Sequence, residues 1–179
     1  ETEHVVYLFV QAKGSVALAK MQYLQKGTSD FIINKSDIGE GISQLTVFNE
    51  IKQPVCERLY FRKPVNILQI KLNNSANDFQ KRKKVSLDVS TGGPNGEPVN
   101  ANMSVSVYLL DSLQPAQEIN ILNYLWLSSD IKGYVESPQY YFVNSGAEAD
   151  KAADNLMLTQ GWRRFKWEDV LKNTTPSFI

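Results

Sequence analysis

Cys56 and His4 are the residues from which nucleophilic chemistry would have to be built in this chain, and each is the only one of its kind. A reactive thiolate needs a neighbouring base or cation, usually a histidine. His4 lies near the start of the chain, whereas Cys56 sits in "PVCERLYF", where alternation puts Leu59 and Phe61 on one strand face and Cys56, Arg58 and Tyr60 on the other. Cys56 therefore reads as structural or incidental. A lone cysteine also rules out an internal disulfide and a cysteine-based zinc site, and leaves the redox compartment undecided. The carboxylates Asp30, Asp37, Glu40, Glu50, Asp78, Asp88, Glu97 and Asp111 are scattered, with no D-x-[DN]-x-[DN]-G calcium loop and no neighbouring pair that suits a glycosidase. No catalytic, metal or cofactor-binding residue is assigned, and the chain is read as a non-enzyme without cofactors. An enzyme whose carboxylates converge only in the folded chain is the third reading.

Aromatic and cationic residues offer binding chemistry instead. In "DNLMLTQGWRRFKW" Trp162 and Phe165 follow a helix that Gly161 can close, with Arg163 and Arg164 beside them. The simpler reading is that the large aromatics cover a sheet face or edge while the arginines lie at the rim or pair with carboxylates. The sharper one makes Trp162, Arg163 and Arg164 a recognition surface. Tyr140, Tyr141 and Phe142, with Tyr124 and Trp126 upstream, pose the same choice between helix-on-sheet packing and a stacking platform for sugar rings. "QKRKK" (80–84), beside Phe79, is the one basic cluster, and without interleaved aromatics it reads as a solvated loop.

Nineteen basic and nineteen acidic residues cancel, so no overall field attracts a polyanion and no nucleic-acid partner is expected. The longest apolar runs, such as residues 5–10, are too short to span a bilayer, so no membrane insertion by this segment is expected. No charged-then-apolar leader opens the sequence, and Glu1 in place of Met suggests a processed or excised piece.

The elements that must position these residues are mostly strands. Period-two alternation recurs at 4–11, 15–24, 30–35, 42–50, 56–62, 66–73, 84–91 and 103–111, separated by Gly, Pro, Asn and Asp. In the last three the inward sets are Leu68, Ile70 and Leu72, then Val85, Leu87 and Val89, then Val105, Val107 and Leu109. "TGGPNGEPV" is a turn, because Asn95-Gly96 tolerates positive φ and Pro94 and Pro98 limit pairing on either side. With a strand following, it is not a phosphate loop.

After Asp111 the period changes. Ile119, Leu122, Leu125 and Trp126 stand at helical spacing, with Pro115 in the first turn and Gly133 beyond the end, which predicts a helix over about 115–131. A second is predicted over 146–160, where Ala149, Ala152, Ala153, Leu156 and Met157 form an apolar stripe, Ser145 is an available N-cap, and Glu148 and Asp150 suit the first turn. The intervening "GYVESPQYYFV" reads as extended.

"GEPVNANMSVSVYLLD" (96–111) resembles the Gly-x-Pro-Val-x-Ala and Ser-Val-Ser-Val pattern of macroglobulin-like β-sandwich domains, the modules strung together in complement and α2-macroglobulin proteins. "GISQLTVFNEIKQPVCERLYF", "YLWLSSDIKGYVESPQYYF" and "LMLTQGWRRFKW" are similar to a narrower group, large secreted proteins of Gram-negative bacteria. In that group such domains precede a carboxypeptidase-regulatory-like domain or a TonB-dependent-receptor plug domain. The resemblance spans most of residues 40–170 and is most distinctive at "LTQGWRR". It implies a periplasmic or outer-membrane-associated location and partners among the other domains of the parent chain or envelope proteins. Thioester chemistry is not implied, since Cys56 lies in Pro-Val-Cys-Glu-Arg and not in Gly-Cys-Gly-Glu-Gln.

The expected fold is mainly β. It comprises two macroglobulin- or immunoglobulin-like β-sandwich modules, a partial one over 1–62, whose first strands would lie upstream, and a second over 63–179 carrying the two helices. The expected function is a non-catalytic structural or interaction module. The alternative is a carbohydrate-binding sandwich using Trp126, Tyr140 and Tyr141.

Overall fold

The computed structural model describes residues 4–74, 80–107, 120–160 and 167–172. Among these the fold is mainly strand, in two antiparallel sheets. The chain divides into two compact units, one formed by 1–63 with 117–179 and the other by 64–116.

In the first unit four strands, β1 (Val5–Ala12), β2 (Ser15–Tyr23), β3 (Gly41–Phe48) and β4 (Pro54–Arg62), form a sheet in the order β2-β1-β3-β4. Each is a run with apolar residues in alternation, and the turns after the first three contain positive-φ residues, as at Lys13-Gly14 between β1 and β2, Lys26-Gly27 after β2 and Lys52 between β3 and β4. The register places Leu8 opposite Lys20 and Val47, Val10 opposite Leu18 and Leu45, and Ile42 opposite Phe61. One face therefore carries Leu8, Val10, Leu18, Leu45, Val47 and Tyr60. Ile38 completes its buried centre, and Phe31 and Ile33 pack against it.

Helices cover the other face. A single turn, α1 (Ile121–Asn123), runs into a π-helical segment (Tyr124–Ser128), followed by α2 (Tyr140–Val143), α3 (Ala147–Thr159) and, later, α4 (Trp167–Leu171). Leu127, Ile131, Val135, Phe142 and Met157 pack on Ile42, Leu59 and Phe61 as one core. Phe61 and Phe142 meet edge to face at 5.7 Å. At the far end of the same face Trp167 stands perpendicular to Phe48 at 5.0 Å and to Phe9 at 5.8 Å, and its Nε1 donates to Thr46 Oγ1 at 3.2 Å.

Several expectations are corrected here. Residues 30–35 are not a strand: Phe31 and Ile33 turn inward and Ile32 outward, but no ladder pairs their backbone with a described strand, and the segment closes in a 3-10 turn at Lys35–Asp37. The first helix begins at Ile121 among the described residues, and its i→i+5 bond from Ser129 N to Tyr124 O rotates the apolar face, so that Leu127 is buried and Leu125 exposed. "SPQYYFV" turns into α2 after Pro138, which aims Phe142 at Phe61. The N-cap of α3 is Gly146 at φ 101°, not Ser145. Its apolar stripe is as expected, with Ala149 and Met157 buried.

The helices belong with the first sheet. The expected second module over 63–179 differs from this arrangement because the apolar faces of α2 and α3 are buried on β3 and β4. The described residues of 64–116 form a two-stranded sheet, β5 (Gln69–Asn74) with β6 (Leu87–Gly92), and the Gly93–Glu97 turn with its Gly92–Pro98 bridge. Leu72 faces Val89, and Ile70 faces Thr91. Of the expected inward residues Leu68, Ile70, Leu72, Val85, Leu87, Val89, Val105 and Val107, none is buried: Ile70 is 60% and Leu72 62% exposed. Residues 103–107 take no strand, and Leu109 lies outside the described residues.

Candidate functional site

The aromatic residues expected to bind occupy two places in the first unit. Trp126 is half-buried where β3 begins. Gly41 has φ 84°, and a Cβ there would stand 2.9 Å from the Trp126 ring, so both the turn and the close approach require glycine. The Lys13 ammonium lies 3.1 Å from the ring centroid. With a cation on one face and the sheet beside it, Trp126 serves the hairpin turn more directly than it serves a ligand.

Tyr140 and Tyr141 meet at 5.5 Å and 87°, a T-shape and not a coplanar platform. Tyr140 is 40% exposed, while Tyr141 is half-buried against the core of α2, α3 and β4. Burial, then the neighbouring Tyr140 and the Glu136 carboxylate, raise the Tyr141 phenol above its ordinary 10.0. Trp162, Arg163 and Arg164 lie outside the described residues.

The nucleophile candidates do not converge. His4 Nδ1 is 3.1 Å from Glu50 Oε2 in an exposed pair, and β3 separates the strand His4 leads into from the strand that carries Cys56. Cys56 is exposed. No three His, Cys, Asp or Glu side chains among the described residues are grouped to hold a metal ion. "QKRKK" is exposed, with a turn at Lys81-Arg82.

Among the described residues of the first unit, two grooves bear on binding. One, of about 430 Å³, runs between β4 and α3, with Tyr60, Tyr141, Lys35, Lys63, Lys151 and Asp150 on its walls. Two of its charged groups are engaged: Asp154 pairs with Arg58, and Lys63 Nζ donates to Asn144 O at 3.2 Å. The other, of about 450 Å³, is almost wholly apolar and lies between β2 and α4, lined by Tyr7, Phe9, Met21, Phe48, Trp167 and Leu171. Ala19, Lys20 and Met21 of β2 form one of its walls.

The two edges of the four-stranded sheet are unlike. β4 carries Pro54, Glu57, Arg58 and Arg62, with α3 alongside, which are the ordinary guards of an edge. β2, "SVALAKMQY", has one charged residue, Lys20, whose ammonium is turned onto Ile32 O at 2.8 Å. Leu24 N donates to His4 O, which fixes the phase of the β1–β2 ladder. Ala19, Met21 and Tyr23 consequently aim their N–H and C=O groups away from β1, where no described strand receives them. Sequence reasoning recognised this strand but not its edge position, because strand order is not written in local alternation.

No protein-family model matches the sequence, and no curated protein matches it significantly. No described helix is long and apolar enough to cross a membrane.

Proposed function

We propose that this chain is a non-catalytic structural or interaction module of a larger periplasmic or outer-membrane-associated protein, built of macroglobulin-like β-sandwich domains. The observation that carries the reading is the β5–β6 sheet, whose apolar face of Ile70, Leu72, Leu87 and Val89 is exposed along its length. Two strands alone are marginal in water, and a contiguous apolar face is the mark of a surface meant to be covered. The resemblance over 96–111 falls on the continuation of this same region, which gives a sandwich partner within the parent protein a place to act.

Amide exchange in the isolated 179-residue chain and in the longer protein tests this reading. Residues 69–74 and 87–92 should exchange more slowly in the longer protein, and equal exchange would remove the proposal. Turnover of a peptide, ester or glycoside that is lost on changing one Asp or Glu would overturn its non-catalytic part. For the carbohydrate alternative the supporting observation is the exposed Tyr140 ring, and a Tyr140→Ala change that leaves glycan binding intact would dismiss it.

A further inference from the structure

We infer that the outer edge of β2 is a docking site for an extended, acidic strand of a partner protein, added by backbone hydrogen bonding with its apolar side chains directed into the groove beside Trp167. This rests on the interaction-module reading and adds to it a surface, a binding mode and a ligand chemistry.

Three observations meet at this edge. First, Ala19, Met21 and Tyr23 present outward N–H and C=O groups over a nine-residue strand that contains no proline, and such a row is completed most directly by another extended chain. Second, the side chains of the same three residues lie on the sheet face that carries Tyr7, Phe9 and Phe48, so an added strand would lay alternate side chains beside the groove of Met21, Trp167 and Leu171. Main-chain bonds supply the attachment, and the groove selects apolar residues at every second position.

Third, charge chooses the occupant. From His4 to Ser29 the hairpin carries Lys13, Lys20 and Lys26 and no carboxylate, although the whole chain is neutral. Lys13 precedes the start of β2, Lys20 lies within it and Lys26 follows its end. Glu3 and Asp30 flank this stretch in sequence, Glu50 is engaged with His4, α4 carries Glu168 and Asp169, and Lys20 and Lys52 line the groove. A second copy pairing edge to edge would set these lysines against their own counterparts, a like-charge arrangement that disfavours self-association. An acidic strand meets the opposite situation.

The test uses the 179-residue chain and two synthetic heptapeptides, one alternating Glu and Val and the other alternating Lys and Val. The Glu–Val peptide should bind at least about tenfold more tightly by fluorescence anisotropy, and its addition should slow amide exchange at Ala19, Met21 and Tyr23. Ala19→Pro removes an outward donor that β1 does not use, so it should cost about tenfold or more in Glu–Val binding with an unchanged thermal transition. Lys26→Glu should narrow the difference between the peptides. Should Ala19→Pro fail to fold, the exchange of the unmodified protein still decides. Equal binding of both peptides, unchanged exchange at the three residues, or protection of β2 that grows with protein concentration through dimerisation would each overturn the inference. None of these readouts concerns β5–β6, so it fails separately from the reading of that sheet.

Discussion

The β3–β4 hairpin and the β5–β6 hairpin are written in the same code and meet opposite fates. Both are antiparallel pairs with apolar residues at every second position, yet Leu59 and Phe61 are buried while Leu72 and Val89 are exposed. The difference lies in what stands opposite. β3 and β4 receive Leu127, Phe142 and Met157 from segments far along the chain, and the first of these is fully enclosed at 0% exposure. β5 and β6 have no covering layer among the described residues of their own unit. Alternation thus states which face is available for burial, and only a second layer carries the burial out.

The strongest test of this contrast is truncation on each side of it. Phe61→Ala removes a buried ring together with its edge contact to Phe142 and should cost about 3–5 kcal/mol, whereas Leu72→Ala should stay within about 0.5 kcal/mol. Urea denaturation of the two variants measures the difference, and comparable losses would show that the β5–β6 face is covered. Trp167→Ala belongs with Phe61→Ala at about 3–5 kcal/mol, because the indole ties α4 to Phe9, Phe48 and Thr46.

A smaller effect is expected where α3 meets the β4 edge. The Arg58–Asp154 pair is roughly half exposed on both sides. Water therefore screens it, and Arg58→Ala should cost about 1 kcal/mol or less. A loss as large as that of Phe61→Ala would mean that the edge is held by charge rather than by the apolar core. On the exposed hairpin, Ile70→Ser should leave the denaturation midpoint in place and lower the binding of an apolar fluorescent dye. An unchanged dye signal would show that this face is not the accessible one.

The smallest effect concerns pH. Burial raises the Tyr141 phenol above 10.0, so the folded protein holds this proton more tightly than the unfolded chain does. Stability from this group is whole below about pH 10 and is lost as pH rises through the folded value. Tyr141→Phe, which cannot ionise, should therefore lose less stability than the unmodified protein above about pH 10. Parallel declines on alkaline denaturation would show that Tyr141 is not desolvated by the core.

Much of this architecture is legible in single residues. Val5–Ala12, Gly41–Phe48 and Pro54–Arg62 fall on the alternating runs, and Ala149 and Met157 identify the buried side of α3. These features follow from side-chain direction, which repeats every two residues in a strand and about every 3.6 in a helix, so a short window contains the whole signal. The candidate site is less legible. Trp126 and Tyr141 are visible as large aromatics, but nothing near them in sequence tells that Lys13 lies over one ring and that the core of α2, α3 and β4 buries part of the other.

What the sequence determined by itself is therefore the kind of element, its inward face and the charge each segment carries, including a hairpin with three lysines and no acid. Only the tertiary structure decided the sheet order that leaves β2 at an edge, the assignment of α2 and α3 to the first sheet, and the exposure of β5 and β6. The physical reason is range. Strand and helix geometry are settled by neighbouring residues, whereas burial and edge position depend on which distant segment arrives to occupy a face.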